Sequence, residues 1–310
     1  MNKDTKIWGM SFSLIGDLIA GLPQLNYFEK KYPGSYKYWG IHKKMSHAAP
    51  LFYNHPLIDR IKITDTWGGF GENDYELASQ CEFTTRQLDH KNKTLLNARP
   101  EDYWYNDHDI VEQLARMSGI YDIQEILTEE ELRPQLSQWF EADFDFIEKN
   151  EGYTKSRTKS NLIPSKSIVI WPFSGYGHWP SRSPSTQWWN TLVDTLVNNN
   201  FTIFHCGWIE EPHLSNLDNY VRCVNLPFFE QIKISLATKL AVGADSGSMW
   251  TLGAYSHPAI HLMTNWRDGH TTNFSAMNPV NIKGISYFAP PSSDQWPHND
   301  ILNNIWEIIK

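Results

Sequence analysis

"AVGADSGSMWTLGA" (Ala241–Ala254) begins with four small or apolar residues, reaches an acid, a serine and a glycine, and continues into a run that can open a helix. The first part reads as a buried strand and the last as a helix start. The turn Asp245-Ser246-Gly247 between them could be a nucleophile, a phosphate cradle or a helix cap. A nucleophile elbow needs Gly-x-Ser-x-Gly centred on the serine, and Gly243-Ala244-Asp245-Ser246-Gly247 fails that spacing. Capping and phosphate binding both remain. Asp245 or Ser246 can cap the helix, and Gly247 lets the backbone approach a ligand closely. The exposed N–H groups of Gly247 and Ser248, at the positive end of the helix dipole, favour a diphosphate.

The same alternation of strand and helix runs outward on both sides. "SIVIWPF", "FTIFHCG", "RCVNLP", "LAVGA" and "PAIHLM" read as strands. "STQWWNTLVDTLVNN", "FFEQIKISLATK" and "SMWTLGAYSH" read as the helices between them, which makes a doubly wound parallel sheet. In the first half, Lys6–Ser13 reads as a strand and Asp17–Lys31 as a helix. "YPGSYKYWGI" and "HPLIDRIKITD" supply the next two strands. "DHDIVEQLARMSG" predicts a capped amphipathic helix, and "TEEELRPQLSQWFEADFDFIEKN" a further one bent or started at Pro134. The polar stretch Asn150–Ser167 predicts the boundary, with an N-terminal domain over 1–155 and a C-terminal one over 165–310. The last helix, "NDILNNIWEIIK", could pack on either. The expected class is α/β, two Rossmann-like domains facing each other across a cleft. Residues 65–100 are irregular and polar and give no assignment.

The chain of 310 residues is long enough for two such domains of about 150 each. It is 41% hydrophobic and 20% charged, a globular balance that excludes broad disorder. No apolar run reaches the ~18 residues of a membrane span. Asp4 and Asp17 flank the apolar N-terminal stretch, which argues against a signal peptide. Three scattered cysteines read as reduced thiols rather than a disulfide frame or a zinc site. The net charge of −8 disfavours coating nucleic acid by charge. Fourteen tryptophans can supply stacking surfaces or simply a heavy core.

Ligands of doubly wound sheets sit at the carboxyl ends of strands. Besides the Asp-Ser-Gly turn, three segments end strands there. "WPFSGYGHWPSRSPSTQWW" offers Ser174 and Gly175 in a loop and a cation, Arg182. It lacks the P-loop signature, which disfavours ATP hydrolysis. "HCGWIEEP" ends a strand at Gly207 and follows it with Glu210 and Glu211, which can hold ribose hydroxyls or stay solvated. "LIGDLIAGLPQL" places Asp17 where the first strand becomes the first helix, as a dipole-favoured acid or a base. "DFD" at Asp143–Asp145 imitates a metal motif but lies in an acidic helical stretch. The 12 histidines show no ligand spacing, so no metal is expected.

In order and separation these four segments resemble glycosyltransferase family 9, the ADP-heptose:lipopolysaccharide heptosyltransferases of GT-B fold. "GDLIAGLPQLNYFEKKYPGS" resembles the family's Gly-Asp…Pro-Ala-Leu start, and "HPLIDRI" and "IVEQLARMSGI" resemble its later segments. "WPFSGYGHWPSRSPSTQWWNTL" is similar to its basic loop and Trp-bearing helix, and "VGADSGSMWTLGAYSHPAIHL" to its Asp-Ser/Thr-Gly turn. The resemblance implies that Asp17 is the catalytic base, Arg182 the diphosphate ligand, and Asp245, Ser246 and Gly247 the phosphate-binding turn. Glu210 or Glu211 would fall near the acid that contacts the donor nucleoside. It implies an inverting, metal-independent transfer from a nucleotide-sugar donor to a saccharide or glycolipid acceptor of a surface polysaccharide or lipopolysaccharide, with no cofactor. A cytoplasmic site at the inner face of the membrane, with peripheral membrane contact, belongs to the same expectation; the oligomeric state has no signature. Three departures stand out: Trp250 where the family keeps a histidine, Ser183 before its proline, and Gln24 in "PQL" for "PAL". Other readings are a viral glycosyltransferase acting on modified DNA bases, a degenerate nucleotide-sugar-binding protein, and a sugar-nucleotide epimerase.

Overall fold

A computed structural model describes residues 7–12, 14–65, 83–84, 88–89, 94–95, 110–142, 164–174, 183–264, 284–289 and 295–310. These form two compact units, divided between Ser137 and Gln138.

In the first unit β1 (Ile7–Phe12) leads to α1 (Ile15–Ala20), α2 (Pro23–Lys31) and β2 (Tyr36–His42). A 3-10 segment, Lys43–Phe52, then leads to β3 (Arg60–Thr64), and β4 (Phe83–Thr84) follows. The sheet order is β3-β2-β1-β4, with every pairing parallel. The direction of strand addition therefore reverses between β1 and β4. The short β5 (Leu88–Asp89) and β6 (Thr94–Leu95) make a separate antiparallel pair. Two helices complete the unit, α3 (Ile110–Met117) and α4 (Ile123–Ile126).

The helix expected over Asp17–Lys31 is broken in two. Gly21 caps α1, and Pro23, which has no N–H to donate to a preceding turn, takes the first position of α2. Leu18, Ile19, Leu25 and Phe28 are buried from the two pieces, and Trp39 packs on Phe52 at 5.9 Å. Asp122 ties α4 to α2, accepting from the Tyr27 hydroxyl at 2.7 Å and pairing with Lys31 at 2.9 Å.

The helix expected in 128–150 is a correction over its described part, 128–142. The Thr128 hydroxyl and the Glu131 carboxylate exchange bonds with each other's backbone N–H, as in a capping box, yet only one turn forms. Pro134 disfavours helical backbone at Arg133 and ends it there. Beyond the turn, Trp139 stacks on Phe229 at 5.6 Å, and Phe140 packs edge-on against Phe229 and Tyr255. Asp143–Asp145 lies outside the described residues.

The second unit contains β7 (Ser167–Trp171), α5 (Thr186–Asn198), β8 (Thr202–His205), β9 (Tyr220–Arg222) and α6 (Phe228–Ala237). It continues with β10 (Leu240–Ala244), α7 (Gly247–Ala254), β11 (Ala259–Thr264), β12 (Gly284–Ala289) and α8 (His298–Ile309). The all-parallel sheet runs β12-β11-β10-β7-β8-β9, with every described residue of β7, β8 and β10 buried. Such continuously buried, mostly apolar strands are what helices on both faces require. On α5 Trp188, Trp189, Leu192 and Leu196 face this core. Ile301 and Ile305 bring the last helix into the same cluster. Strand β12 was absent from the sequence reading; it lies at the edge of the sheet, with Gly284–Tyr287 half-buried.

Two positions measure how tightly the units are built. A Cβ on Gly243 would lie 2.9 Å from the Trp171 carbonyl oxygen of the adjacent β7 and 2.6 Å from the Met249 sulfur of α7. Gly243→Ala is expected to cost about 1–3 kcal/mol, read as a lower thermal midpoint, because the carbonyl that blocks the methyl belongs to a central strand. In the first unit Gln24 is 0% exposed and both of its amide atoms lack a hydrogen-bond partner. Gln24→Met should therefore raise stability by about 1–2 kcal/mol in chemical denaturation, whereas a loss would mean that the amide is satisfied by buried water.

Candidate functional site

The order β12-β11-β10-β7-β8-β9 reverses its direction of strand addition between β7 and β10. The chain leaves each central strand toward opposite faces, so a crevice opens at their carboxyl ends. Ser174 follows β7 there, and Asp245, Ser246 and Gly247 follow β10. The topology brings together the two segments that the sequence had picked out separately.

Ser246 is the N-cap of α7. Its backbone is extended (φ −151°, ψ 159°), and its hydroxyl oxygen accepts from the Met249 N–H at 3.4 Å. Gly247 and Ser248 are the first two helical residues, whose N–H groups have no acceptor within a helix. Asp245 stands just outside the helix. Its own N–H donates to the Leu262 carbonyl at 3.2 Å, fastening the turn to β11, and its Oδ1 accepts from the Trp250 indole N–H at 3.2 Å. The turn is thus a capped helix start, and the cap uses the N–H of Met249, not those of Gly247 and Ser248.

Across the crevice, the Ser174 N–H donates to the Ser183 hydroxyl at 3.0 Å and both residues are buried, which ties together the two ends of the loop 174–183. Gly175 and Arg182, the other candidates of this loop, lie outside the described residues.

The loop after β8 is organised from beneath. His205 is buried with Nδ1 2.6 Å from the Tyr220 hydroxyl and Nε2 2.8 Å from Glu211 Oε2. The Trp208 N–H donates to Glu211 Oε1 at 2.9 Å, and the Leu214 N–H donates to the Tyr220 oxygen at 3.2 Å. Gln231 bridges Gly207, accepting from its N–H and donating to its carbonyl oxygen. Arg222 donates to the carbonyl oxygens of Ile209 and Glu211. Gly207 has φ +154°, and a Cβ there would lie 2.3 Å from the Glu211 carboxylate oxygens, so only glycine fits. The pair of glutamates is therefore divided. Glu211 is 2% exposed and committed inward, so it has no surface for a ribose; Glu210 is exposed beside Trp208, itself 56% exposed.

Burial pushes the Glu211 carboxyl up to about 8, and burial, with the charge of Arg222, holds the His205 imidazolium down to about 3. Both groups are driven to their uncharged forms, as the cost of an ion without water demands.

Asp17 is the third residue of α1, in the first turn after β1 and at the carboxyl end of the strand next to which the first sheet reverses. It occupies in the first unit the kind of place that the Asp-Ser-Gly turn occupies in the second. Among the described residues, no three His, Cys, Asp or Glu side chains gather to hold a metal ion, and no helix is long and apolar enough to cross a membrane.

No family model and no curated protein sequence matches the chain. Solved structures do. ADP-heptose lps heptosyltransferase II of E. coli superposes with a TM-score of 0.67 at 14% identity, covering 98% of both chains. A glycosyl transferase family 9 protein of Veillonella parvula gives 0.63 at 11% identity, over 100% of this chain and 98% of that one. E. coli heptosyltransferase WaaC with ADP gives 0.57 at 12% identity, over 98% and 100%. The chain has the GT-B fold. The sequence expectation of two Rossmann-like sheets is met, and both sheets carry a switch point, at β1/β4 and at β7/β10.

The signs of the two shifts predict a pH profile for the second unit. Glu211 contributes stability below its ordinary 4.5 that is lost as pH rises toward 8, because unfolding releases a proton. His205 contributes stability above its ordinary 6.5 that is lost as pH falls toward 3. Between 4.5 and 6.5 the two slopes oppose each other. From pH 6.5 to 8 the thermal midpoint of the wild-type protein should fall relative to Glu211→Gln; parallel curves would show that Glu211 is ionised in the folded state.

Proposed function

We propose that this chain is a glycosyltransferase that takes a sugar from a nucleoside-diphosphate donor held at the β7/β10 switch point and passes it to a saccharide hydroxyl. The observation that carries the reading is the capped start of α7 between β10 and the crevice, within a GT-B fold. The neighbouring structures support it in kind: one is an ADP-heptose heptosyltransferase, and another is described with ADP bound.

In this reading the N–H groups of Gly247 and Ser248, the α7 dipole and the Arg182 guanidinium take up the negative charge that develops on the leaving diphosphate. Ser174 and Gly175 contribute contacts to the donor, and Glu210, rather than Glu211, meets the ribose. Asp17 takes the proton of the acceptor hydroxyl. That oxygen attacks the sugar's anomeric carbon from the side opposite the diphosphate, the bond to the diphosphate oxygen breaks, and the configuration inverts. The helix dipole and a cation suffice for the leaving group, so the reading requires neither a metal ion nor a cofactor. The acceptor belongs to the saccharides or glycolipids of a surface polysaccharide or lipopolysaccharide, met at the inner face of the membrane.

Thermal unfolding in the presence of a series of nucleotide sugars tests the donor half. The right one should stabilise the protein by about 2.7 kcal/mol at a hundredfold excess over its dissociation constant, and stabilisation by none would contradict the reading. Asp17→Ala should lower transfer by about 10²-fold or more while donor affinity holds; full activity would remove Asp17 from the role of base.

A further inference from the structure

We infer that Trp208 is the stacking platform for the donor's nucleobase, held in advance beside Glu210 at the carboxyl end of β8. The inference rests on the donor reading above, and it names the residue that tells a nucleoside diphosphate from a bare diphosphate. Trp208 is 56% exposed and its neighbour Ile209 59% exposed. Exposed apolar residues are ordinary on a protein surface and alone would say nothing. What sets this pair apart is the rigidity of the backbone that carries it.

Trp208–Glu211 is a tight turn, closed by the Glu211 N–H donating to the Trp208 carbonyl at 3.0 Å. Gln231 of α6 accepts from the preceding Gly207 N–H at 2.6 Å and donates to the Gly207 carbonyl at 3.1 Å. The buried Glu211 carboxyl accepts from the Trp208 N–H at 2.9 Å and is itself held by His205 at 2.8 Å. Arg222 of β9 donates to the carbonyl oxygens of Ile209 and Glu211. Burying Glu211, His205 and Gln231 carries a desolvation cost that a solvated turn would avoid, and the apolar side chains at its tip stay in water all the same. A ring fixed beforehand gains in binding instead. An indole has only two side-chain torsions, so on a fixed backbone little freedom remains to be lost when a ligand stacks on it. Burial also drives Glu211 to its uncharged form, so the support sets no further negative charge beside a diphosphate.

The place of the turn selects the ligand. β8 adjoins β7 on the side away from β10. With strands about 4.8 Å apart, the end of β8 lies roughly 10 Å across the sheet from the start of α7. A diphosphate at α7 then leaves its ribose over the end of β7 and its base at the turn after β8. The base is the planar end of the donor, and an indole face stacks on a planar π system whichever base it is.

Calorimetric titration with ADP, GDP, UDP and CDP, and with inorganic pyrophosphate, tests this. Trp208→Ala should weaken the best-bound nucleoside diphosphate about tenfold and alter pyrophosphate affinity less than about twofold. Trp208→Leu, which keeps apolar volume without a ring, should lose as much, whereas Trp208→Phe should stay within about threefold of the wild type. The side chain is exposed, so these changes leave the core intact. Unchanged nucleotide affinity in Trp208→Ala, an equal loss for pyrophosphate, or a leucine as good as phenylalanine overturns the inference. So does unchanged nucleotide affinity with lost sedimentation on phosphatidylglycerol vesicles, which would give the Trp208–Ile209 tip to a membrane surface. Wild-type protein that binds pyrophosphate but no nucleoside diphosphate more tightly removes the base platform alone. Wild-type protein that binds none of the five ligands overturns the donor reading itself, a result distinct from the others.

Discussion

Position 243 admits no side chain. The Trp171 carbonyl of β7 and the Met249 sulfur of α7 both lie closer than any Cβ tolerates, so β10 can press against its neighbour while α7 folds back over it. The consequences run through the second unit. Asp245, Ser246 and Gly247 emerge at the carboxyl end of a central strand, beside the end of β7 and at the point where the sheet changes direction. A bulkier residue two places before the acid would part the strands or lift the helix. In either case the N–H groups of α7 would no longer face the crevice.

Much of this was legible in the sequence because fully buried parallel strands leave little room for variation. "SIVIW", "TIFH" and "LAVGA" are buried from end to end and mostly apolar, and the helices between them announce themselves by period and cap. What escaped was decided by competition among local signals. One long helix was expected across Gly21 and Pro23, where the proline restarts the chain as a second helix. The Thr128–Glu131 capping pair looks like a helix start in the sequence, but it closes a single turn because Pro134 follows and because Trp139 and Phe140 find aromatic partners.

The site shows the same division. The Asp-Ser-Gly turn could be read from spacing alone, since its chemistry lies in the backbone. Glu210 and Glu211 are equivalent in sequence, and only the loop's buried support separates them. His205, itself held by the Tyr220 hydroxyl, and the backbone N–H of Trp208 claim Glu211, and the conformation of Gly207 makes room for it. A carboxyl that a solvated loop would ionise freely is instead pushed up to about 8. Trp250 read only as a departure at a position the resemblance gives to histidine. Its hydrogen bond to Asp245 gives that departure a chemical content that depends on geometry and not on residue type.

The central claim is that the start of α7 is where the donor's diphosphate binds. Hydrogen–deuterium exchange measured on the segment Ala241–Ala254, with and without a saturating nucleoside diphosphate, tests it most directly. The account predicts that the ligand slows exchange at Gly247 and Ser248, with little change at Thr251–Ala254 deeper in the helix. Binding of the same nucleotide with exchange at Gly247 and Ser248 unaltered would place the diphosphate elsewhere and contradict it.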